Sequence, residues 1–196
     1  MWLISALGAV AGANGGANGA AHAHNGILKQ YEHVPPKRYG LSLRNVAKAD
    51  LRTGRPVVRP MRNGRLMSVQ DIHAPESTVW GAITDLKNYP TMVSSVARCD
   101  VYERRRTLSG GLHLKARYLV KIPPAFSLEY FCVHAFEPLR HCMTFRLDYQ
   151  RKSQLSDMVG YWYVEELPDG WSRLFFSTDS TTCVNGLPTR APCYCY

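Results

Sequence analysis

Beyond residue 97 the chain alternates apolar and polar positions with a period of two. The alternation is interrupted at short intervals by Gly, Pro and charged turn residues. This pattern predicts a meander of strands over 97–105, 111–122, 126–136, 141–150, 158–167 and 172–182. The breaks between them are Ser109-Gly110-Gly111, Pro123-Pro124, Glu137-Pro138-Leu139-Arg140 and Pro168-Asp169-Gly170. The strand at 111–122 is the clearest: Leu112, Leu114, Ala116, Tyr118, Val120 and Ile122 alternate with His113, Lys115, Arg117 and Lys121. Upstream the period changes. A strand over 66–73 runs into Ala74-Pro75-Glu76, which opens a helix, because Pro at the first turn gives up only a donor without an intrahelical partner. Val79, Trp80 and Ile83 form the apolar stripe of that helix, which stops near Asp85. Tyr89-Pro90 begins a second short helix carrying Met92, Val93 and Val96. Seven strands and two short helices make an α+β chain.

The hairpin around Glu137–Arg140 fixes which face looks inward. With Phe136 opposite His141, one face collects Leu128, Tyr130, Cys132, Phe136, His141, Met143, Phe145, Leu147 and Tyr149. The other collects Glu129, Phe131, Val133, Cys142, Thr144, Arg146 and Asp148. The first is the more apolar on both strands and is assigned to the interior. A slip by one residue would reverse every side chain.

Strand, two short helices and a run of strands resembles the opening of the START-like superfamily, also called SRPBCC or helix-grip. The resemblance rests on Ala74-Pro75, Val79-Trp80, Asp85 and Tyr89-Pro90 in this order, and it spans about residues 66–182. It is nearest to the coenzyme Q-binding and polyketide cyclase/dehydrase-like branch. It implies a curved antiparallel sheet gripping a helix, with an apolar cavity between them. Tyr118, Tyr130, Met143, Phe145, Tyr149 and Trp162 are then the candidate ligand-binding residues. The function implied is binding of a hydrophobic small molecule, a lipid or a quinone, as carrier or chaperone; the alternative is a polyketide cyclase/dehydrase-like enzyme using the same cavity. The superfamily's fold closes with a long C-terminal helix. Asn185-Gly186, Pro188 and Pro192 prevent one here, so residues 183–196 are read as an irregular tail. Without that helix, part of the apolar sheet face is expected to stay uncovered and to promote self-association.

The net charge of +9 changes this picture only in where it lies. Residues 37–65 carry nine Lys or Arg against the single acid Asp50, whereas the chain from 66 onward is nearly neutral. A basic groove on the folded part, and with it a nucleic-acid partner, is not supported. Residues 1–26 form an apolar, then Ala/Gly/Asn-rich leader, with Ala11-Gly12-Ala13 matching what a signal peptidase accepts, although no Lys or Arg precedes it. Residues 27–65 read as a basic, proline-containing linker or a transit-like segment, and 27–60 are expected to make few contacts with the domain. Together they favour the secretory pathway or an organelle, plastid or mitochondrion, over the cytosol. A leader without function is the alternative.

Candidate chemistry is sparse. The six cysteines form no Cys-x2-Cys pair, and those within strands read as small buried hydrophobes. No Gly-x-Ser-x-Gly, His-Glu-x-x-His or phosphate-binding glycine loop is present. His134 and His141 flank one turn on the inward face, but two histidines without a carboxylate do not make a metal site. Asp157, in the polar stretch 148–157, reads as a solvated loop charge, with an acid or base at the pocket rim as the alternative. Arg104-Arg105-Arg106 reads as a solvated strand edge, with acidic membrane lipid as an alternative contact. No catalytic residue, metal or cofactor is assigned.

Overall fold

A computed structural model describes residues 26–39, 43, 48–61, 65–122, 126–184 and 187–190. The leader before residue 26, and Cys193 and Cys195, lie outside the described residues. Nine strands form one antiparallel sheet: β1 (Val57–Pro60), β2 (Leu66–Ile72), β3 (Val96–Arg106), β4 (Leu112–Ile122), β5 (Phe126–Glu137), β6 (Cys142–Leu147), β7 (Asp157–Glu166), β8 (Ser172–Val184) and β9 (Leu187–Arg190). Their spatial order is β1-β2-β8-β7-β6-β5-β4-β3, with β9 also on β8. The helices are α1 (Lys48–Leu51), α2 (Glu76–Thr84) and α3 (Tyr89–Met92); α2 and α3 are joined by a 3-10 turn over Leu86–Asn88. The architecture is α+β, as the patterning predicts.

Three local departures have physical causes. The first is at the β5–β6 hairpin. Phe136 pairs with Met143, not His141, because Pro138–Arg140 form a 3-10 turn and His141 takes a left-handed conformation at φ 50°. The register is displaced by two residues, an even number, so each side chain keeps its face. His141 leaves the inward set: it is exposed, and its Nδ1 lies 2.6 Å from Glu76 Oε1 on α2. The second departure is that β6 ends at Leu147, since the Asp148 carboxylate accepts the Gln150 N–H at 3.1 Å and turns the chain out of the ladder. The third is at the end of the chain, where 183–196 is not wholly irregular: β8 runs to Val184 and pairs with β9. Pro188 is tolerated there because β9 is an edge strand.

The sheet has a core on each face. On the concave side α2, the 3-10 turn and α3 deliver Val79, Trp80, Ile83, Leu86 and Tyr89 against β3–β8. Trp80 is buried, its ring 4.6 Å from that of Phe136, and its indole N–H donates to Glu76. The expected uncovered apolar patch is not found among the described residues. Leu112, Leu114, Tyr118, Val120, Leu128 and Tyr130 are all buried, because the curled sheet and the two short helices close over them.

The second core corrects the reading of 27–60 as making few contacts. Leu28, Tyr31, Leu51 and Met61 are buried on the convex face against Met67, Val69, Val159, Tyr161 and Phe175. Polar groups fix the segment. The Leu28 N–H donates to Asp157 at 2.6 Å, and the Tyr31 hydroxyl meets Ser177 Oγ at 2.5 Å. His33 bridges Glu137 and Thr144. Arg65 lies over the Tyr31 ring, donates to the Lys29 carbonyl and pairs with Asp179 at 3.3 Å, both charges being buried. Asp157 is accordingly no solvated loop charge. It is fully buried and also accepts from the Tyr149 hydroxyl and the Met158 N–H.

Candidate functional site: an aromatic cavity under the short helices

The alternation of inward residues on neighbouring strands, crossed by α3, encloses a small cavity. Tyr118 comes from β4, and Tyr130, Cys132 and His134 come from successive inward positions of β5. Phe145 (β6), Met158 and Trp162 (β7) and Phe176 (β8) complete the floor, with Tyr89 of α3 above. Its volume is about 20 Å³, room for a single water-sized group. Tyr118 and Tyr130 stack with centroids 5.1 Å apart and planes 12° apart. Phe145 lies flat over Gly160, its cross-strand partner; a β-carbon on Gly160 would fall 1.8 Å from Phe145 Cζ. The Tyr89 hydroxyl donates to the Ile83 carbonyl at 2.7 Å, which ties α3 to the end of α2.

The walls carry no formal charge at neutral pH. Burial pushes the Tyr118 and Tyr130 phenols and the Cys132 thiol well above their ordinary ranges. Burial alone draws His134 down to about 3, so its imidazole is neutral. His134 Nε2 is 3.0 Å from the Tyr118 hydroxyl, while Nδ1 is buried with no hydrogen-bond partner among the described residues. Among these residues no group of three His, Cys, Asp or Glu side chains could hold a metal ion.

Four of the six residues expected to line a cavity meet here: Tyr118, Tyr130, Phe145 and Trp162. Met143 is fully buried in the same core but forms no part of the cavity wall. Tyr149 sits beyond the end of β6, its hydroxyl bonded to Asp157 and the Arg146 guanidinium over its ring. Cys132 and His134 share the inward parity of Tyr130 and could have been included on that ground. Met158 likewise shares the parity of Trp162 on β7, whereas Phe176 required the β7–β8 register, which pairs it with Trp162.

No protein-family model matches the sequence, and no curated protein does. Solved structures do match. The aromatase/cyclase Zhui from a Streptomyces species aligns with 66% of this chain and 72% of its own, at 16% identity and TM-score 0.53. A START superfamily protein from Mycobacterium smegmatis aligns with 64% of this chain and 81% of its own, at 15% identity and TM-score 0.52. The chain has the START-like, helix-grip fold. A STAR-related lipid transfer protein from Xanthomonas axonopodis gives the same result, with 69% and 77% covered, 14% identity and TM-score 0.51. In this structure the cavity lies between the gripped helices and the concave sheet face.

Proposed function

We propose that the protein binds a hydrophobic small molecule, a lipid or a quinone, between α2–α3 and the concave face, and acts as its carrier or chaperone. The observation that carries this reading is the uncharged aromatic cavity at the centre of the grip. At about 20 Å³ it has room only for a water-sized group, so a larger ligand must displace its roof. That roof is short, with nine residues in α2 and four in α3. It is tied at one end by the Ser172 hydroxyl on the Ala74 carbonyl and by His141 on Glu76. An enzymatic use of the cavity is less favoured, because a histidine with a pKa near 3 is a weak general base at neutral pH.

The test is direct. Mass spectrometry of the purified protein should detect a co-purified apolar molecule, and a long-chain fluorescent ligand should bind saturably. Met158→Trp, which fills the cavity, should weaken that binding at least tenfold, with about 1–3 kcal/mol lost from stability. If nothing apolar binds the parent protein, the aromatics are simply core.

A carrier must also collect its cargo, and a second set of residues supports a membrane as the source. Leu108 and Leu139 are the most exposed large apolar side chains among the described residues. They sit on the β3–β4 and β5–β6 turns, which share one end of the sheet because Leu112 pairs with Phe136. Exposed Arg105, Arg106 and Arg140 flank them. Leucines that insert and arginines that meet headgroup charge suit an anionic bilayer. The protein should co-sediment with phosphatidylserine-containing vesicles more than with phosphatidylcholine ones. Leu108→Ser with Leu139→Ser should reduce this severalfold, and equal sedimentation with and without the leucines would remove the membrane from the reading.

A further inference from the structure

We infer that His134 is the polar anchor of the cavity and that its Nδ1 receives the carbonyl oxygen of the ligand, which makes the favoured cargo a carbonyl-bearing apolar molecule such as an alkylated quinone. This rests on the reading of the cavity as a ligand site. His134 is a wall residue of the cavity, its side chain only 4% exposed, and its buried Nδ1 has no hydrogen-bond partner among the described residues. A buried polar group left unpaired is costly, so such atoms are nearly always matched by protein, water or ligand.

The chemistry of the partner follows from the other ring nitrogen. The Tyr118 hydroxyl lies 3.0 Å from His134 Nε2. A phenol is a stronger acid than the N–H of a neutral imidazole, so the phenol donates and Nε2 accepts. The single ring proton then resides on Nδ1, which becomes a donor. A donor recognises a carbonyl oxygen. Stacking of Tyr118 on Tyr130 holds the phenol, and hence the tautomer, in place. The rest of the wall, from Phe145 through Trp162 to Phe176, is aromatic and suits a flat conjugated head. Discrimination arises because a ligand without the carbonyl leaves Nδ1 unpaired.

The test compares a decyl-substituted benzoquinone with decylbenzene, which has the same tail and no carbonyl. The parent protein should bind the quinone roughly tenfold more tightly. His134→Phe should bind both with the affinity of the parent for decylbenzene. A second measurement requires no variant: with uniformly 15N-labelled histidine, quinone should move the His134 Nδ1–H resonance, and decylbenzene should not. The anchor is overturned if the parent binds both molecules equally, if His134→Phe keeps the preference, or if quinone binds without moving that resonance. If neither molecule binds the parent, the pocket reading fails, and the anchor fails with it.

Discussion

Acidification should destabilise this protein by several kcal/mol through one side chain, His134. Burial draws its pKa down from 6.5 to about 3 in the folded chain. The unfolded chain therefore binds a proton that the folded chain refuses at every pH between those values. The sign follows: a depressed folded pKa leaves stability complete above pH 6.5 and removes it progressively as the pH falls towards 3. A shift of that size corresponds to on the order of 5 kcal/mol over the window, at about 1.4 kcal/mol for each pH unit. A small domain has about 5–15 kcal/mol in total, so the loss is a large share of it.

Two other groups act in the same direction. Burial lowers the pKa of half-buried His33 as well, against the pull of Glu137. Burial tends to raise Asp148, but hydrogen bonds from Tyr102 and the Gln150 N–H, with Lys115 and Arg151 nearby, hold it below its ordinary 3.8. Its stabilisation is present above pH 3.8 and lost below that, outside most of the histidine window. The difference between parent and His134→Phe isolates His134. Urea unfolding at pH 7 and pH 4.5 should show the parent losing at least 2 kcal/mol more than the variant between the two conditions. Parallel pH profiles would mean that His134 is protonated in the folded protein, and its neutral role in the cavity would fall.

Much of the concave face was legible in the sequence because alternation is local. Leu112 through Val120 declare their face from their spacing alone, and the faces of the β5–β6 hairpin hold despite a different cross-strand partner because a displacement of two residues preserves parity. The candidate site was legible to the same extent. Tyr118, Tyr130 and Phe145 follow from parity, whereas Trp162 comes only from the resemblance, on a strand buried on both faces, and Phe176 depends on a cross-strand register. The convex face was illegible for a different reason. Leu28, Tyr31, Leu51 and Met61 are isolated apolar residues in a segment dominated by charge, Gly and Pro, with no period to mark them. What places them is tertiary: β2, β7 and β8 present Met67, Val159, Tyr161 and Phe175 on the side away from the helices, and that surface needs cover. Arg65 and Asp179 form a buried pair across 114 residues, a separation at which sequence pattern carries no signal.

The largest effect expected from the smallest substitution is at Gly160. Its cross-strand partner is Phe145, and the Phe145 ring occupies the space where a side chain at 160 would begin. An added β-carbon would meet Phe145 Cζ at 1.8 Å and the two Cε atoms at 2.3 and 2.4 Å, far inside contact distance. The ring cannot simply step aside. The His134 ring is 5.5 Å away, the Phe176 ring 6.2 Å, and the cavity beside it holds only about 20 Å³. Gly160 is also at the centre of the sheet, on a strand paired with β6 on one side and β8 on the other, so backbone movement would disturb both ladders. Gly160→Ala should therefore cost about 3 kcal/mol or more, the upper range for overpacking, and should weaken ligand binding by pushing Phe145 into the pocket. Phe145→Ala alone should cost about 3–5 kcal/mol as a large aromatic lost from a core. The decisive measurement is the double variant. With the Phe145 ring gone, the same methyl at 160 fills space and restricts the unfolded chain, so its effect should change sign to a gain of up to about 1 kcal/mol. A double-mutant cycle by denaturant unfolding would then show a coupling of about 3–4 kcal/mol between the two positions. Additive costs would mean that the ring does not lie over Gly160, and the floor of the cavity would have to be drawn differently.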